Sequence, residues 1–129
     1  MSETLSLDKV QMRYDDTTTA LDGLSLDFPA ASFTALVGPS GCSKSTALRL
    51  LAGLLAPTSG SVTRPARDQI GFVFQDPTLL AWKSAYDNIS LPLKIAGHTR
   101  AHIDQRVTYA LDLVGLSGRG AALPRELSG

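Results

Sequence analysis

A run of glycine, serine and lysine residues at positions 38–46 carries the groups that bind phosphate in many proteins. It reads Gly38-Pro39-Ser40-Gly41-Cys42-Ser43-Lys44-Ser45-Thr46. The run matches the phosphate-loop pattern G-x-x-x-x-G-K-[ST] at every fixed position except Ser43, where the pattern has glycine. The sequence therefore predicts a site for a nucleoside triphosphate.

Each part of this run has a chemical role in such a site. Gly38 and Gly41 permit close backbone approach, so that N–H groups at a helix N-terminus converge on the phosphate oxygens. Lys44 predicts a positive charge at the β- and γ-phosphates, and the Ser45 hydroxyl predicts a Mg²⁺ ligand. The Thr46 hydroxyl is expected to cap the helix or to donate a hydrogen bond beside Ser45. The alternative is an ordinary strand-to-helix turn, which the two glycines and the K-S-T triplet argue against.

Ser43 is expected to weaken binding. If its position needs a positive φ, or contact closer than a side chain allows, serine strains it by roughly 1 to 3 kcal/mol. Nucleotide binding is then expected to be roughly 5- to 150-fold weaker than with glycine.

The elements that position the loop follow from apolar patterning. Residues 46–52, directly after the loop, are typical of a buried helix. Pro29 ends one period-two segment, and Gly53 follows the helix. Four strands are predicted, at residues 5–14, 24–28, 32–37 and 70–74.

The last third of the sequence predicts a helix that starts after Thr99 and ends at Gly115. His98 and His102 lie four residues apart at its start, but no thiol or carboxylate joins them, so a solvated face is favoured over a metal site. The apolar stripe consists of Ile103, Val107, Leu111 and Val114.

Composition limits the class of protein. The 129 residues are 43% apolar, enough for one domain with a modest core, and 12 basic residues balance 12 acidic ones. Zero net charge predicts no nucleic-acid partner, and the single cysteine excludes an internal disulfide. No apolar stretch is long enough to span a bilayer, and the acidic start is unlike a signal peptide, so a cytosolic location is expected.

Three further motifs accompany the loop in order: Tyr14 at the end of the first predicted strand, Gln75 in Phe72-Val73-Phe74-Gln75-Asp76-Pro77, and the terminal Leu127-Ser128-Gly129. With them, the chain resembles the N-terminal half of an ATP-binding subunit of an ABC transporter over its whole length. The resemblance implies an α/β P-loop NTPase fold that binds ATP and Mg²⁺. Residues 1–82 then form an antiparallel β subdomain and the P-loop core, and residues 83–129 begin a helical subdomain.

The resemblance also assigns roles to these residues. Tyr14 is implied to stack on adenine, and Gln75 to contribute an oxygen to Mg²⁺ and the attacking water. Leu127, Ser128 and Gly129 open the family's L-S-G-G-Q signature, which clamps the γ-phosphate held by the opposite subunit. The implied partners are therefore a second ATP-binding subunit in a head-to-tail dimer, a transmembrane subunit, and a periplasmic or extracellular solute-binding protein.

Residues 79–82 and 87–93 resemble the segment that meets the membrane subunit, although they are equally suited to the floor of the helical subdomain. The amino-acid sequence of these two segments is similar to that of the nitrate, sulfonate and taurine importers of the family. A cytoplasmic location, on the inner face of the membrane through that partner, follows from the resemblance.

The family's Walker B aspartate, catalytic glutamate, D-loop and switch histidine have no counterpart in the 129 residues, so no catalytic residue is assigned. This chain alone is expected to bind Mg-ATP weakly, not to hydrolyse it, and to aggregate or need a partner. Two alternatives are a non-hydrolysing nucleotide-binding or interaction module and a soluble, non-transport ABC ATPase fragment.

Overall fold

A computed structural model describes residues 4–39 and 41–127 of the chain; for Cys42 it describes the backbone alone. The chain forms two compact units, Met1–Val73 and Phe74–Gly129. The division after Val73 comes earlier than the subdomain boundary expected after residue 82. Each unit is described by itself.

The first unit contains a three-stranded antiparallel sheet in the order β2-β1-β3. The strands are β1 (Leu5–Arg13), β2 (Thr19–Phe28) and β3 (Ser59–Thr63). The strands predicted at residues 5–14 and 24–28 are confirmed, with β2 beginning five residues earlier than expected. β3 was missed because its residues, Ser-Gly-Ser-Val-Thr, have the composition of a turn.

A bulge in β1 reconciles its sequence with a single buried face. Leu7 and Val10 are both buried although they are an odd number of residues apart, which simple alternation would place on opposite faces. The register against both neighbouring strands shifts after Leu7 and Asp8, and Lys9 has a φ of 47°. The bulge therefore returns the second half of β1 to the face that the first half buries.

The helix after the phosphate loop, α1 (Cys42–Leu51), packs on this buried face. It confirms the predicted helix and begins four residues earlier than residue 46. The core of the unit consists of Leu7, Val10, Met12 and Leu21 from the sheet and Ala47, Leu50 and Leu51 from α1.

Two predicted strands are wrong. Residues 32–37 and 70–74 belong to no strand, although a short 3-10 turn (Arg67–Gln69) precedes the second segment. A strand persists only when a neighbour pairs with its backbone, and the sheet of the described residues consists of β1, β2 and β3. Phe33 and Val73 are consequently 97% and 95% exposed, despite side chains typical of a core.

The second unit is helical, with α2 (Ala85–Ile95), α3 (Arg100–Leu113) and a 3-10 turn (Pro124–Glu126). α2 lies in the region expected to be helical, although no bounds were predicted for it, and it continues through Pro92. α3 confirms the expected helix: Thr99 caps it and Gly115, at a φ of 74°, follows its end. Tyr86 of α2 donates a hydrogen bond to Asp104 of α3, which raises the pKa of Tyr86.

The apolar stripe of α3 is buried at three of its four predicted positions. Ile103, Val107 and Leu111 form a core with Ala85, whereas Val114 is exposed. Val114 departs because the helix ends at Leu113, and its φ of −99° turns it away from the stripe. Within the described residues, no helix is long and apolar enough to cross a bilayer.

Candidate phosphate-binding site

The N-terminus of α1 lacks the side-chain cap that α2 and α3 have. Ser84 accepts a hydrogen bond from the Asp87 N–H at 3.1 Å, and Thr99 accepts one from the His102 N–H at 3.4 Å. Gly41, the N-cap residue of α1, has no side chain to offer, and the first turn contains no acidic residue. The first N–H groups of α1 are therefore suited to an anionic ligand.

The two glycines of the loop are not required by the packing of the described residues. A Cβ added to Gly41 would meet nothing within 4 Å, and one added to Gly38 would lie 3.9 Å from the Lys44 Cδ. Gly41 is also extended, at a φ of 162°, which any residue adopts. Glycine at both positions is thus better explained by space for a ligand than by the fold, and the loop fits a polyphosphate in this respect.

Lys44 is half-buried and folds back over the loop. Its Nζ donates to the carbonyl oxygens of Gly38 at 2.9 Å and Pro39 at 2.5 Å. An ammonium has three donors, so the charge is held at the loop with donor capacity left for a phosphate. Ser45 follows it in the first turn of α1 and is exposed, as a metal-binding hydroxyl must be.

Ser43 is the second residue of α1 and is exposed. Among the residues that the structure describes, those with a positive φ other than glycine are Lys9 and Ala31. The expectation that serine is strained by a positive φ is therefore wrong, because the helix begins one residue before it and gives it helical geometry. Only the second part of that hypothesis, close contact between the Ser43 side chain and the ligand, stays a prediction.

Tyr14 and Thr46 lie 32 residues apart in sequence and share a hydrogen bond between Tyr14 Oη and Thr46 Oγ1 at 2.8 Å. Tyr14 is 45% exposed, whereas Thr46 is fully buried. The structure thus brings the predicted base-binding ring to the phosphate-loop helix. No sequence signal indicated this bond, which joins the Thr46 hydroxyl to Tyr14, whereas we expected it to cap the helix or to donate a hydrogen bond beside Ser45.

The loop after Tyr14 is held by a carboxylate. Oδ1 of Asp15 accepts hydrogen bonds from the Thr17 N–H, the Thr17 hydroxyl and the Thr18 N–H, at 2.8, 2.7 and 2.6 Å. The Tyr14 N–H donates to the Thr18 carbonyl at 3.0 Å and closes the turn. These bonds, with that from the Thr17 hydroxyl first, hold the pKa of Asp15 below its ordinary value of 3.8.

The remaining predicted residues are not joined to this site by the described geometry. Gln75 is exposed at a bend of the second unit. Leu127 is partly buried against the core of that unit. Ser40, Ser128, Gly129 and the Cys42 side chain lie outside the described residues.

Metal ligation was expected from Ser45 and Gln75 rather than from a cluster. His98 and His102 are both exposed, with ring centroids 4.7 Å apart and planes tilted by 32°. In the part of the chain that the structure describes, no three His, Cys, Asp or Glu side chains are grouped to hold a metal ion.

The chain resembles known proteins in its family, its sequence relatives and its fold. A family model described as ABC transporter matches residues 21–129. A solved dimeric, post-hydrolysis structure of the ATP-binding cassette MJ0796, bound to ADP and Pi, matches with a TM-score of 0.81 and 28% identity. The match covers 96% of this chain and 63% of that one. The fold is therefore that of part of an α/β ABC ATPase, as the sequence predicted.

Curated relatives are more similar in sequence. An aliphatic sulfonates import ATP-binding protein of Mesorhizobium japonicum is 46% identical, over 93% of this chain and 46% of the relative. A taurine import ATP-binding protein of Rhizobium johnstonii is 44% identical, over 91% and 47%. A methionine import ATP-binding protein of Rhodopseudomonas palustris is 43% identical, over 85% and 33%. The chain thus spans between a third and a half of the length of these relatives.

Proposed function

The chain belongs to the ABC transporter family, and from this premise we propose that it binds Mg-ATP as part of the ATP-binding subunit of an importer. The observation that carries the proposal is the N-terminus of α1. It has no side-chain cap and is preceded by glycines that the packing does not require, and the ammonium of Lys44 is bonded to carbonyl oxygens of the same loop. Anionic oxygens suit all three features.

The roles of the residues follow from their chemistry. The N–H groups that open α1 bind phosphate oxygens, and Lys44 supplies positive charge to the β- and γ-phosphates. When Mg²⁺ is bound, the Ser45 hydroxyl and the Gln75 side-chain oxygen would hold it, and it would neutralise part of the phosphate charge. Tyr14 is half-exposed beside α1 and offers its ring to the base.

Hydrolysis is proposed for the longer protein of which such chains form part. Phosphoryl transfer also needs a group that polarises the attacking water, the role of the family's catalytic glutamate, and no residue of the described site is assigned that role. We therefore expect this chain alone to bind Mg-ATP weakly and to release phosphate no faster than background. The signature residues Leu127, Ser128 and Gly129 are proposed to serve the opposite subunit of a head-to-tail dimer.

A membrane partner is proposed from the surface of the second unit. Trp82 is 73% exposed, and Leu79 and Leu91 are exposed near it in sequence. An aromatic anchor with apolar neighbours suits a helix of a transmembrane subunit, which would hold the chain at the inner face of the membrane. A solute-binding protein outside the membrane completes the proposed system.

The solute is proposed to be an organosulfur compound such as taurine or another sulfonate. The support is the naming of two relatives for taurine and aliphatic sulfonates, and of a third for methionine. Nitrate, which the sequence also suggested, has no support among these relatives.

Titration of the full chain with Mg-ATP, followed by calorimetry, tests the nucleotide site. We expect saturable binding that Lys44→Ala removes, whereas Lys83→Ala, an exposed lysine of the second unit, leaves it unchanged. Circular dichroism on the same samples establishes that each variant is folded. Absence of binding at millimolar ATP in a cooperatively melting sample overturns the proposal, and duplex DNA binding at physiological salt would favour a soluble, non-transport ABC ATPase instead.

A further inference from the structure

We propose that Thr46 is a positioning residue for adenine recognition, acting through the ring of Tyr14. The inference rests on the proposed function and goes beyond it, because it assigns Thr46 to the base end of the nucleotide. Its hydroxyl would fix the ring of Tyr14 relative to the helix that binds the phosphates.

Thr46 and Tyr14 differ in burial, and this difference assigns them different roles. Thr46 has no exposed surface, so a ligand cannot reach its side chain without displacing the residues that cover it. A buried hydroxyl needs a hydrogen-bond partner, and Tyr14 Oη provides one at 2.8 Å. Tyr14 itself remains 45% exposed, which leaves ring surface for a base.

The backbone of Tyr14 is fixed independently of its hydroxyl. Its N–H donates to the Thr18 carbonyl at 3.0 Å, and the preceding N–H, of Arg13, donates to Thr58 Oγ1 at 3.0 Å. The residue is thus held at its main chain by the loop and at the tip of its side chain by α1. A ring held at both ends has little orientational freedom left to lose when a base stacks on it.

The position of Thr46 in α1 makes this contact informative about the whole ligand. Thr46 follows Lys44 and Ser45 directly, and those two residues are assigned to the phosphates and Mg²⁺. The hydrogen bond to Tyr14 therefore fixes the distance between the base end and the phosphate end of the site. Loss of the bond should weaken the part of the affinity that depends on the base and leave the part that depends on the phosphates.

Two ligands separate these parts: Mg-ATP and magnesium tripolyphosphate, which lacks the nucleoside. Their dissociation constants are measured on the full chain and on Tyr14→Phe, Thr46→Val, Thr46→Ser and the Phe/Val double variant. Tyr14→Phe keeps the ring and removes only the hydroxyl; Thr46→Val keeps the volume and removes only the hydroxyl. Tyr109→Phe, an exposed tyrosine of the second unit, is the matched control.

We expect Tyr14→Phe and Thr46→Val each to weaken ATP binding by roughly 2- to 12-fold, the equivalent of one hydrogen bond, with tripolyphosphate binding unchanged. The double variant should be no weaker than either single variant, because both remove the same bond. Thr46→Ser should restore ATP binding to near the original value. Tyr109→Phe should change neither constant.

Three results overturn the inference. If Thr46→Val lowers the affinities for ATP and tripolyphosphate equally, the Thr46 hydroxyl contacts the phosphates directly. Unchanged ATP binding in Tyr14→Phe, whose change lies at a half-exposed residue and should not prevent folding, would show that the bond does not position the ring. Additive losses in the double variant would show two independent contacts. If the unmodified chain binds neither ligand, the proposed function fails first, and this inference with it.

Discussion

The side-chain amide of Asn88 is hydrogen-bonded to both backbone groups of Leu80. Oδ1 accepts from the Leu80 N–H at 2.8 Å, and Nδ2 donates to the Leu80 carbonyl at 3.1 Å. Nδ2 also lies 3.1 and 3.0 Å from the carbonyl oxygens of Lys83 and Ser84. One side chain of α2 therefore holds the loop that carries the exposed Trp82.

Asn88→Ala should free this loop and lower the stability of the second unit by roughly 1 to 3 kcal/mol, because the partly buried backbone groups of the loop lose their hydrogen-bond partner. Trp82 is the only tryptophan of the sequence, so its fluorescence and its quenching by acrylamide report on the loop alone. Amide exchange at Leu80 should rise at least tenfold. Asn88→Asp keeps the acceptor for the Leu80 N–H but turns a carboxylate toward the carbonyl oxygens, and should be at least as damaging.

Ser84→Ala separates this effect from helix capping. It removes the hydroxyl that accepts the Asp87 N–H and should cost about 1 kcal/mol of helix stability. Exchange at Leu80 should change far less than in Asn88→Ala. Equal exchange rates in the two variants would contradict the role given to the Asn88 amide.

Asp15 predicts a pH dependence for the loop that carries Tyr14. Its folded-state pKa is lowered, first by the hydrogen bond from the Thr17 hydroxyl. Its stabilising contribution is therefore fully present above the unfolded-state pKa and is lost as the pH falls through the lower, folded-state value. Thr17→Val should raise the pKa of Asp15 in an NMR titration and move the loss of loop order to higher pH, while a pKa that stays in place would show that the hydroxyl has no influence.

How far the sequence predicted this site depends on whether the signal was local. The phosphate loop, the cap at Thr99 and the end at Gly115 rest on residues a few positions apart, and each prediction agrees with the observed helix beside it. Tyr14 and Thr46 meet only after β1, β2 and α1 have packed, so no short pattern records their bond.

The wrong strand predictions have a different cause. Residues 32–37 and 70–74 have β-forming side chains, but propensity describes a half-buried surface and not an isolated strand. The expectation of strain at Ser43 was wrong for another reason. The phosphate-loop pattern shows that glycine is absent there, but it does not give the backbone geometry of that position. Because Ser43 is helical, its backbone is not strained. What remains to be tested is whether its side chain leaves enough space for the phosphates.

Ser43→Gly tests that question. If the side chain limits the approach of the phosphates, its removal should tighten Mg-ATP binding about 5-fold or more, which corresponds to about 1 kcal/mol. Ser43→Ala is the matched control, since it removes the hydroxyl and keeps the Cβ. If affinity for Mg-ATP rises in Ser43→Gly but not in Ser43→Ala, the Cβ is what limits the approach of the phosphates. If affinity rises in neither variant, Ser43 is not a cause of weak binding.

Gly60 of β3 lies against the bulge in β1, the strand that ends at Arg13, one residue before Tyr14. Its φ is +85°, and an added Cβ would lie 2.4 Å from the Lys9 carbonyl oxygen. Gly23 of β2 has a similar φ of +69°, but nothing lies within 4 Å of its Cβ position. Substitution of either glycine by alanine therefore carries the cost of a positive φ. Only at Gly60 would the added Cβ also collide with backbone atoms.

Gly23→Ala should lower the free energy of unfolding by about 1 kcal/mol, the usual cost of a left-handed conformation for alanine. Gly60→Ala should cost more than about 3 kcal/mol, because backbone atoms must move and β1 must lose its register with β3. Urea unfolding monitored by circular dichroism gives both values. If Gly60→Ala is no worse than Gly23→Ala, the bulge at Lys9 does not require close contact with β3, and the position of Tyr14 does not depend on it.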